Sequence, residues 1–302
     1  MIDRINFYID DVDFDDIAKH LDLEPSGIAK DESTRYECKL RNLSIIYVGR
    51  RLRIIGSLHK FVKGNNYSLF TYGELKLALK DLAESVGITL DRFIVSHLEL
   101  GVNIQMDNEV GKYLNLFHSY KSHPFIYMSP LKGTSKLKGC KCSMADYTIK
   151  FYDKTFEAIK AGRIPKGERD KVPSNLLRYE IAITRRQLKY EGFTNVTGKN
   201  LLSNLHYIRF KKLMKRVFYE ILLKDFTINY SLLPESKIKS YIFVLSDGCD
   251  RYLDYLKEYK GEKEYRKEKR KINKLLKDVS PFIKGKLKSE LESKFELAMS
   301  KI

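Results

Sequence analysis

The sequence predicts an α+β fold: a mainly antiparallel sheet with helices on one side over residues 1–199, followed by a helical, basic region over residues 200–302. Three observations carry this. Residues alternate between apolar and polar over Val95–Ile104, Asp146–Lys154 and Leu177–Ile183, and a period of two is the mark of a half-buried strand. Short turns, with Asn42 and Gly49 as turn residues, join the strands of the first sixty residues into a meander. From Lys199 onward, leucine and aromatic residues recur at three- and four-residue spacing.

In chain order, Ile2–Ile9 opens as a strand, with Arg4, Asn6 and Tyr8 alternating against Asp3, Ile5, Phe7 and Ile9. The acidic run 10–16 caps a short helix, Ile17–Leu23, by placing carboxylates at its positive end. Strands follow over Glu37–Leu40, Ser44–Val48 and Arg51–Leu58. Tyr72–Val86 is an amphipathic helix with Leu75, Leu79, Leu82 and Val86 on one stripe. Met106–His118 reads as another helix, Pro124–Gly139 as a loop rich in Lys, Gly and Ser, and Phe156–Ala161 as a short helix. Arg163–Pro173 is charged and proline-punctuated, hence an exposed loop, and Gln187–Gly198 is a turn region. Tyr252–Lys277 is dense in Lys, Arg and Glu and reads as a solvated helix with a basic bias.

Each of the three alternating strands carries ionisable groups on one face. In the first, His97, Glu99, Gly101 and Asn103 oppose Leu98, Leu100, Val102 and Ile104. In the second, Asp146, Thr148, Lys150 and Tyr152, with Lys154 on the same parity, oppose Tyr147, Ile149 and Phe151. In the third, Arg178, Glu180 and Ala182 oppose Leu177, Tyr179, Ile181 and Ile183. If the three are neighbours, one face gathers two carboxylates, an imidazole, an arginine, two lysines and a tyrosine. Tyr152 lies between two cations, which favour a phenolate, so it is the candidate nucleophile toward an anionic centre. Hard divalent cations, Mg2+ or Mn2+, suit a face of carboxylates and amides. Ahead of these strands, His59, Lys60, Lys63, Asn65, Asn66 and Tyr67 mix cations, amides and an aromatic ring, as a phosphate- and base-contacting loop does.

The chain has 302 residues and a formal net charge of +17, which points to a polyanionic partner, nucleic acid above all. Cys38, Cys140, Cys142 and Cys249 are few and irregularly spaced. They fit free thiols in a reducing cytoplasm and do not complete a zinc site. The opening M-I-D-R-I-N lacks a signal peptide, no stretch is apolar enough to span a bilayer, and no P-loop occurs.

Three ordered pieces, H-L-E-L-G-V-N-I (97–104), I-K-F-Y-D-K (149–154) and L-L-R-Y-E-I (176–181), with G-S-L-H-K (56–60) ahead of them, resemble those of rolling-circle replication initiators. The nearest likeness is to phage and plasmid replication proteins of the filamentous-phage gene II (II/X) type. The resemblance runs from about Met1 to Gly192. It implies a nicking-domain fold in which Tyr152 cuts one DNA strand and Lys154 orients the phosphate, with Lys150 as a second activator. It implies a metal held by Glu99 and Glu180 with Asn103, Asp153 being an alternative ligand. It also implies DNA contacts from Arg178 and His97 beside those of His59, Lys60, Lys63 and Asn66. The sequence departs from the family pattern at His97, where arginine is common, and at Asn103, where a second acid is expected. It has no His-x-His pair. The implied reaction nicks an origin, single-stranded or in supercoiled duplex, leaving a 5′-phosphotyrosine and a 3′-hydroxyl. That hydroxyl primes a host polymerase, with a host helicase as further partner, in a bacterial cytoplasm. The competing reading is a DNA-binding protein without chemistry, serving copy control or partition and needing no Tyr152; a second competitor is a basic RNA-binding protein with an aromatic sheet face.

Overall fold

In a computed structural model the protein is described at residues 1–128, 138–160, 164, 166–277 and 282–302. The expected loops at Pro124–Gly139 and Arg163–Pro173 therefore fall partly outside the described residues. The elements run β1 (Ile2–Ile9), α1 (Phe14–Ala18), β2 (Glu24–Ile28), β3 (Thr34–Leu40), β4 (Leu43–Val48), β5 (Arg51–Ser57), α2 (Leu58–Lys63), α3 (Tyr72–Val86), β6 (Ile94–Gln105), α4 (Val110–Leu114), β7 (Phe117–Tyr120), β8 (His123–Pro124), β9 (Ile126–Tyr127), β10 (Gly139–Met144), β11 (Tyr147–Asp153), α5 (Lys154–Lys160) and β12 (Leu176–Thr184). Then come α6 (Arg185–Tyr190), α7 (Gly198–Leu201), α8 (Asn204–Tyr219), β13 (Ile221–Leu223), β14 (Phe226–Ile228), α9 (Glu235–Leu245), α10 (Asp247–Tyr255), α11 (Glu262–Lys277), β15 (Phe282–Lys284) and α12 (Lys286–Ser300).

Among the described residues ten strands form one sheet in the order β2-β3-β4-β5-β1-β6-β12-β11-β10-β9, with every neighbouring pair antiparallel. The fold is thus α+β, an antiparallel sheet flanked by helices. The alternation sorts as the sequence implies. Ile5 and Phe7 of β1, Leu98, Leu100 and Val102 of β6, Ile149 and Phe151 of β11, and Tyr179 and Ile181 of β12 all point into one core. Against it α3 buries Leu75, Leu79, Leu82 and Val86. A Thr71–Glu74 capping box starts that helix, and Gly87, at φ +70°, ends it.

A division at residue 199 separates elements that share this core. Helix α8 buries Phe210, Met214 and Phe218 in it, and α12 buries Leu291, Phe295 and Met299. Phe218 stacks on Phe295 at 3.8 Å between ring centroids, and the Tyr179 hydroxyl donates to the Met214 carbonyl at 3.1 Å. What stands apart is a small cluster of Val244, Cys249, Leu253, Ile272 and Leu276 from α9, α10 and α11.

Other departures have local causes. Met106–His118 yields only the short α4 and then β7, which pairs with β13 a hundred residues on; the apolar run 113–117 carries no period of its own. Strand β2 is exposed along its whole length, so it shows no alternation to read. The long helix expected over Tyr252–Lys277 is broken at Gly261, at φ +84°.

Candidate active site on the polar sheet face

The strand register assembles the site. Tyr152 of β11 lies opposite Arg178 of β12, and Arg178 lies opposite Asn103 of β6. One step along, Lys150 faces Glu180, and Glu180 faces Gly101. The three polar faces expected from the sequence therefore merge into one.

Arg178 is the hub, only 2% exposed. Its Nη2 donates to Asp3 Oδ2 at 2.6 Å, its Nη1 to Asn103 Oδ1 at 3.0 Å and its Nε to Glu180 Oε1 at 3.1 Å. The Tyr152 hydroxyl donates to the same Glu180 Oε1 at 2.8 Å. A buried guanidinium needs such partners, because removing it from water is costly unless its donors are met. Room for it comes from Gly101: a Cβ there would lie 2.4 Å from Arg178 Nη2, the usual reason for glycine inside a strand.

Asp3 is the member the sequence reading left out of the site. Alternation grouped it with the apolar Ile5, Phe7 and Ile9. A register shift between Ile2 and Ile5 turns it to the polar face, as a bulge does. There it also accepts from Asn66 Nδ2 at 3.2 Å and from the Ser57 hydroxyl. Burial works to raise its pKa, but Arg178 and Ser57 outweigh that and hold the carboxyl below its ordinary value. A lone acid among Ile2, Ile5 and Phe7 was the available signal.

Glu99 and Glu180 converge on one cation. Lys150 Nζ lies 3.2 Å from Glu99 Oε1 and 3.8 Å from Glu180 Oε2, and His97 Nε2 lies 3.8 Å from Glu99. Burial opposes ionisation of Glu99, yet His97 and Lys150 keep its pKa below the usual value. Asn103 is committed elsewhere: besides accepting from Arg178 it donates to the carbonyls of Asn66 and Tyr67 at 3.2 and 3.0 Å. Asp153 caps α5 through the Phe156 amide at 2.8 Å, away from these carboxylates' shared lysine.

The lysine pair does not flank the Tyr152 oxygen as parity suggested. The strand ends at Asp153, and Lys154 begins α5. Its side chain is fully buried, paired with Glu157 and 5.8 Å from the centre of the Tyr152 ring. Burial lowers its pKa, against the pull of Glu157. Burial and the Glu180 charge push the Tyr152 phenol well above its ordinary pKa, the reverse of the expected phenolate. Tyr147, the nearest rival, is buried on the core side and stacks with Tyr120.

The expected DNA-contacting loop packs inward instead. His59 is buried, stacked on Phe70 at 4.7 Å, with Nε2 3.2 Å from Ser68 Oγ. Burial, only partly opposed by Asp3, lowers its pKa to about 3. Lys63 pairs with Glu74, and Asn66 holds Asp3. Lys60 is left partly exposed. His59 and Asn66 thus build the wall of the site, while Lys60 and Lys63 stay at the surface.

All four cysteines are free. Among the described residues no helix is long and apolar enough to cross a membrane, and no group of three His, Cys, Asp or Glu side chains closes on a point that could hold a metal. Comparison with known families and with curated proteins finds no match.

Proposed function

We propose that the protein is a DNA-nicking enzyme in which Tyr152 attacks a backbone phosphate. The observation that carries this is a tyrosine hydroxyl hydrogen-bonded to a buried carboxylate, Glu180, that a buried arginine holds in place. That is the nucleophile, base and orienter arrangement of covalent catalysis. Because the phenol is raised in pKa, it reacts by giving its proton to Glu180 as the oxygen bonds to phosphorus. The P–O3′ bond breaks, the 3′-oxygen takes a proton from Lys150 or water, and the 5′-phosphate stays on Tyr152. The 3′-hydroxyl can then prime a polymerase, as the resemblance to rolling-circle initiators implies.

The face leading to the site suits a polyanion. It continues through Tyr8 to Arg35, Arg50, Arg51, Arg53 and Arg185 around a cavity of about 990 Å3, with Asp10, Asp11 and Asp31 on its rim. Arg51 and Arg185 lie 5.2 and 5.7 Å from the Tyr8 ring centre.

Mg2+ or Mn2+ belongs to this proposal as a competitor of Lys150. Glu99 and Glu180 would hold it, supplying two oxygens, with water and the phosphate completing a hard ion's shell. The formal charges favour an added cation: Asp3, Glu99, Glu157 and Glu180 outnumber Lys150, Lys154 and Arg178 by one, and an incoming phosphodiester adds another negative charge. When bound, the ion would polarise the phosphate.

The test is a covalent adduct with an origin-bearing supercoiled plasmid in Mg2+ or Mn2+. Tyr152→Phe removes the adduct and leaves binding; Tyr147→Phe keeps it. An adduct that survives Tyr152→Phe refutes the assignment. The competing reading, binding without chemistry, rests on that same raised phenol, which at neutral pH is an ordinary hydrogen-bond donor. Failure of wild type to form any adduct would favour it.

A further inference from the structure

We infer that the α9–α11 unit carries a binding site for a single nucleic-acid strand, separate from Tyr152 and independent of its chemistry. The site is a cavity of about 570 Å3 where α11 meets Ser122 and β8. Lys257, Arg266, Lys269 and Arg270 line it, against one carboxylate, Glu262, which is already bonded to Arg266 at 2.8 Å.

Lys269 is the telling residue. It is 8% exposed, and its ammonium donates to the Tyr265 hydroxyl at 2.7 Å, with the Tyr265 ring centre at 5.0 Å. No carboxylate lies within ion-pair distance of it among the described residues. A buried cation without a counter-ion is unfavourable by several kcal/mol unless an anion arrives. Nearby Asn273 Oδ1 is buried without a partner, so the cavity asks for a donor as well as an anion. A nucleotide offers both: phosphate oxygens, and sugar or base N–H and O–H groups.

Exposed rings on the same α9–α11 unit select a strand over a duplex. Tyr255 and Tyr259 are exposed, 45% and 68%, and stack with centroids 5.4 Å apart at 26°. Lys257, between them in sequence, reaches back to 5.9 Å from the Tyr265 ring centre. Phe243 and Tyr252 form a second exposed pair at 5.8 Å. Aromatic platforms beside a cationic groove bind unpaired bases, whose faces a duplex hides.

The test uses the full chain and a labelled oligothymidylate of about 16 nucleotides, carrying photoreactive 5-iodouracil. Crosslinks are expected on the peptide holding Tyr255 and Tyr259. Tyr259→Ala with Arg270→Ala, both exposed, should weaken binding about tenfold or more and flatten the log–log salt slope by about 0.7 for the lost phosphate contact. Lys269→Met should move two readouts oppositely, weakening strand binding while raising Tm of the free protein by about 2 °C or more. Tyr152→Phe should leave the crosslink in place. Crosslinks confined to the β1–β5 face, unchanged affinity in the double variant, or equal competition by duplex of the same length would each overturn the proposal.

Discussion

Replacing Gly101 by alanine probes the site without touching a polar group. A Cβ on Gly101 would sit 2.4 Å from Arg178 Nη2, 2.7 Å from Cζ and 2.9 Å from Nε, where ordinary contacts begin near 3.4 Å. The guanidinium must therefore retreat by about 1 Å, a displacement of the size that misplaced groups pay for about a hundredfold in rate. It is pinned at 2.6 Å to Asp3, 3.0 Å to Asn103 and 3.1 Å to Glu180, so a shift that size breaks at least one of these bonds. A bond to a charged group contributes about 1.5–3 kcal/mol, and overpacking a filled site costs about 1–3 kcal/mol. Partial relaxation leaves an expected loss of about 2–4 kcal/mol, read by urea unfolding. Adduct formation should fall at least about tenfold, since Glu180 loses the group that aims it at Tyr152. Gly111→Ala is the control. It lies in α4 with nothing within 4 Å of its Cβ, and should be neutral or gain up to about 1 kcal/mol. Gly101→Ala within about 0.5 kcal/mol of wild type, beside a well-behaved Gly111→Ala, would refute the packing of Arg178 described above.

Three further outcomes follow from the same structure. His59 and His118 are held neutral by burial, with pKa values lowered to about 3 and about 4. The unfolded chain takes up these protons near pH 6.5 and the folded chain does not. Their contribution is therefore complete above pH 6.5 and is lost on acidification, at up to about 1.4 kcal/mol per pH unit for each histidine; His59→Gln should flatten the stability profile between pH 6.5 and 5, and an unchanged slope would contradict its burial. Phe295→Ala, far along the chain in α12, should destabilise the sheet core by about 3–5 kcal/mol, seen as a shifted unfolding midpoint, whereas a region folding by itself after residue 199 would leave that midpoint in place. Lys150→Met frees Glu99 and Glu180 of their shared ammonium, so Mn2+ should raise Tm of this variant more than of wild type; equal shifts would remove these two carboxylates from consideration as metal ligands.

The legible part of this fold is the part that a local period encodes. Val95–Ile104, Tyr147–Asp153 and Leu177–Ile183 each sort their side chains by position alone, because a strand packed on one face leaves no other arrangement. That sufficed to put Glu99, Lys150, Tyr152, Arg178 and Glu180 on one surface. Two kinds of fact lay beyond it. One is register irregularity: the bulge in β1 turns Asp3 over, and the end of β11 at Asp153 lifts Lys154 into a helix, so parity failed at both places. The other is what covers a face. Tyr152 looked like a tyrosine between two free lysines, but Glu99 and Glu180 claim one of them and Glu157 the other, and burial with the Glu180 charge reverses the sign of the effect on the phenol.

On the proposed nicking function, that reversal bears on how a strand would be cut. A tyrosine ionised in the resting protein would be a reactive anion facing an anionic substrate, and the nearby carboxylates would oppose both. Here the proton stays on Tyr152, donated to Glu180 at 2.8 Å, so the proposed nucleophile would be neutral until a phosphate is in place. Arg178 is buried and already holds Asp3, Asn103 and Glu180 through its three nitrogens, so it serves to fix Glu180 rather than to reach the phosphate. Lys150 differs: its two contacts, at 3.2 and 3.8 Å, are looser than Arg178's bond to Asp3, and a partly exposed ammonium can swing from carboxylate to phosphate at small cost. If it does, Glu99 loses its ammonium and Glu180 keeps only Arg178 just as the phosphate's charge enters. The Tyr152 proton would relieve that pair, and Glu99 and Glu180 are the residues that would hold a divalent ion if one were bound. In the proposed reaction the arrangement would therefore couple strand arrival to loss of the phenolic proton, through one lysine that both carboxylates share.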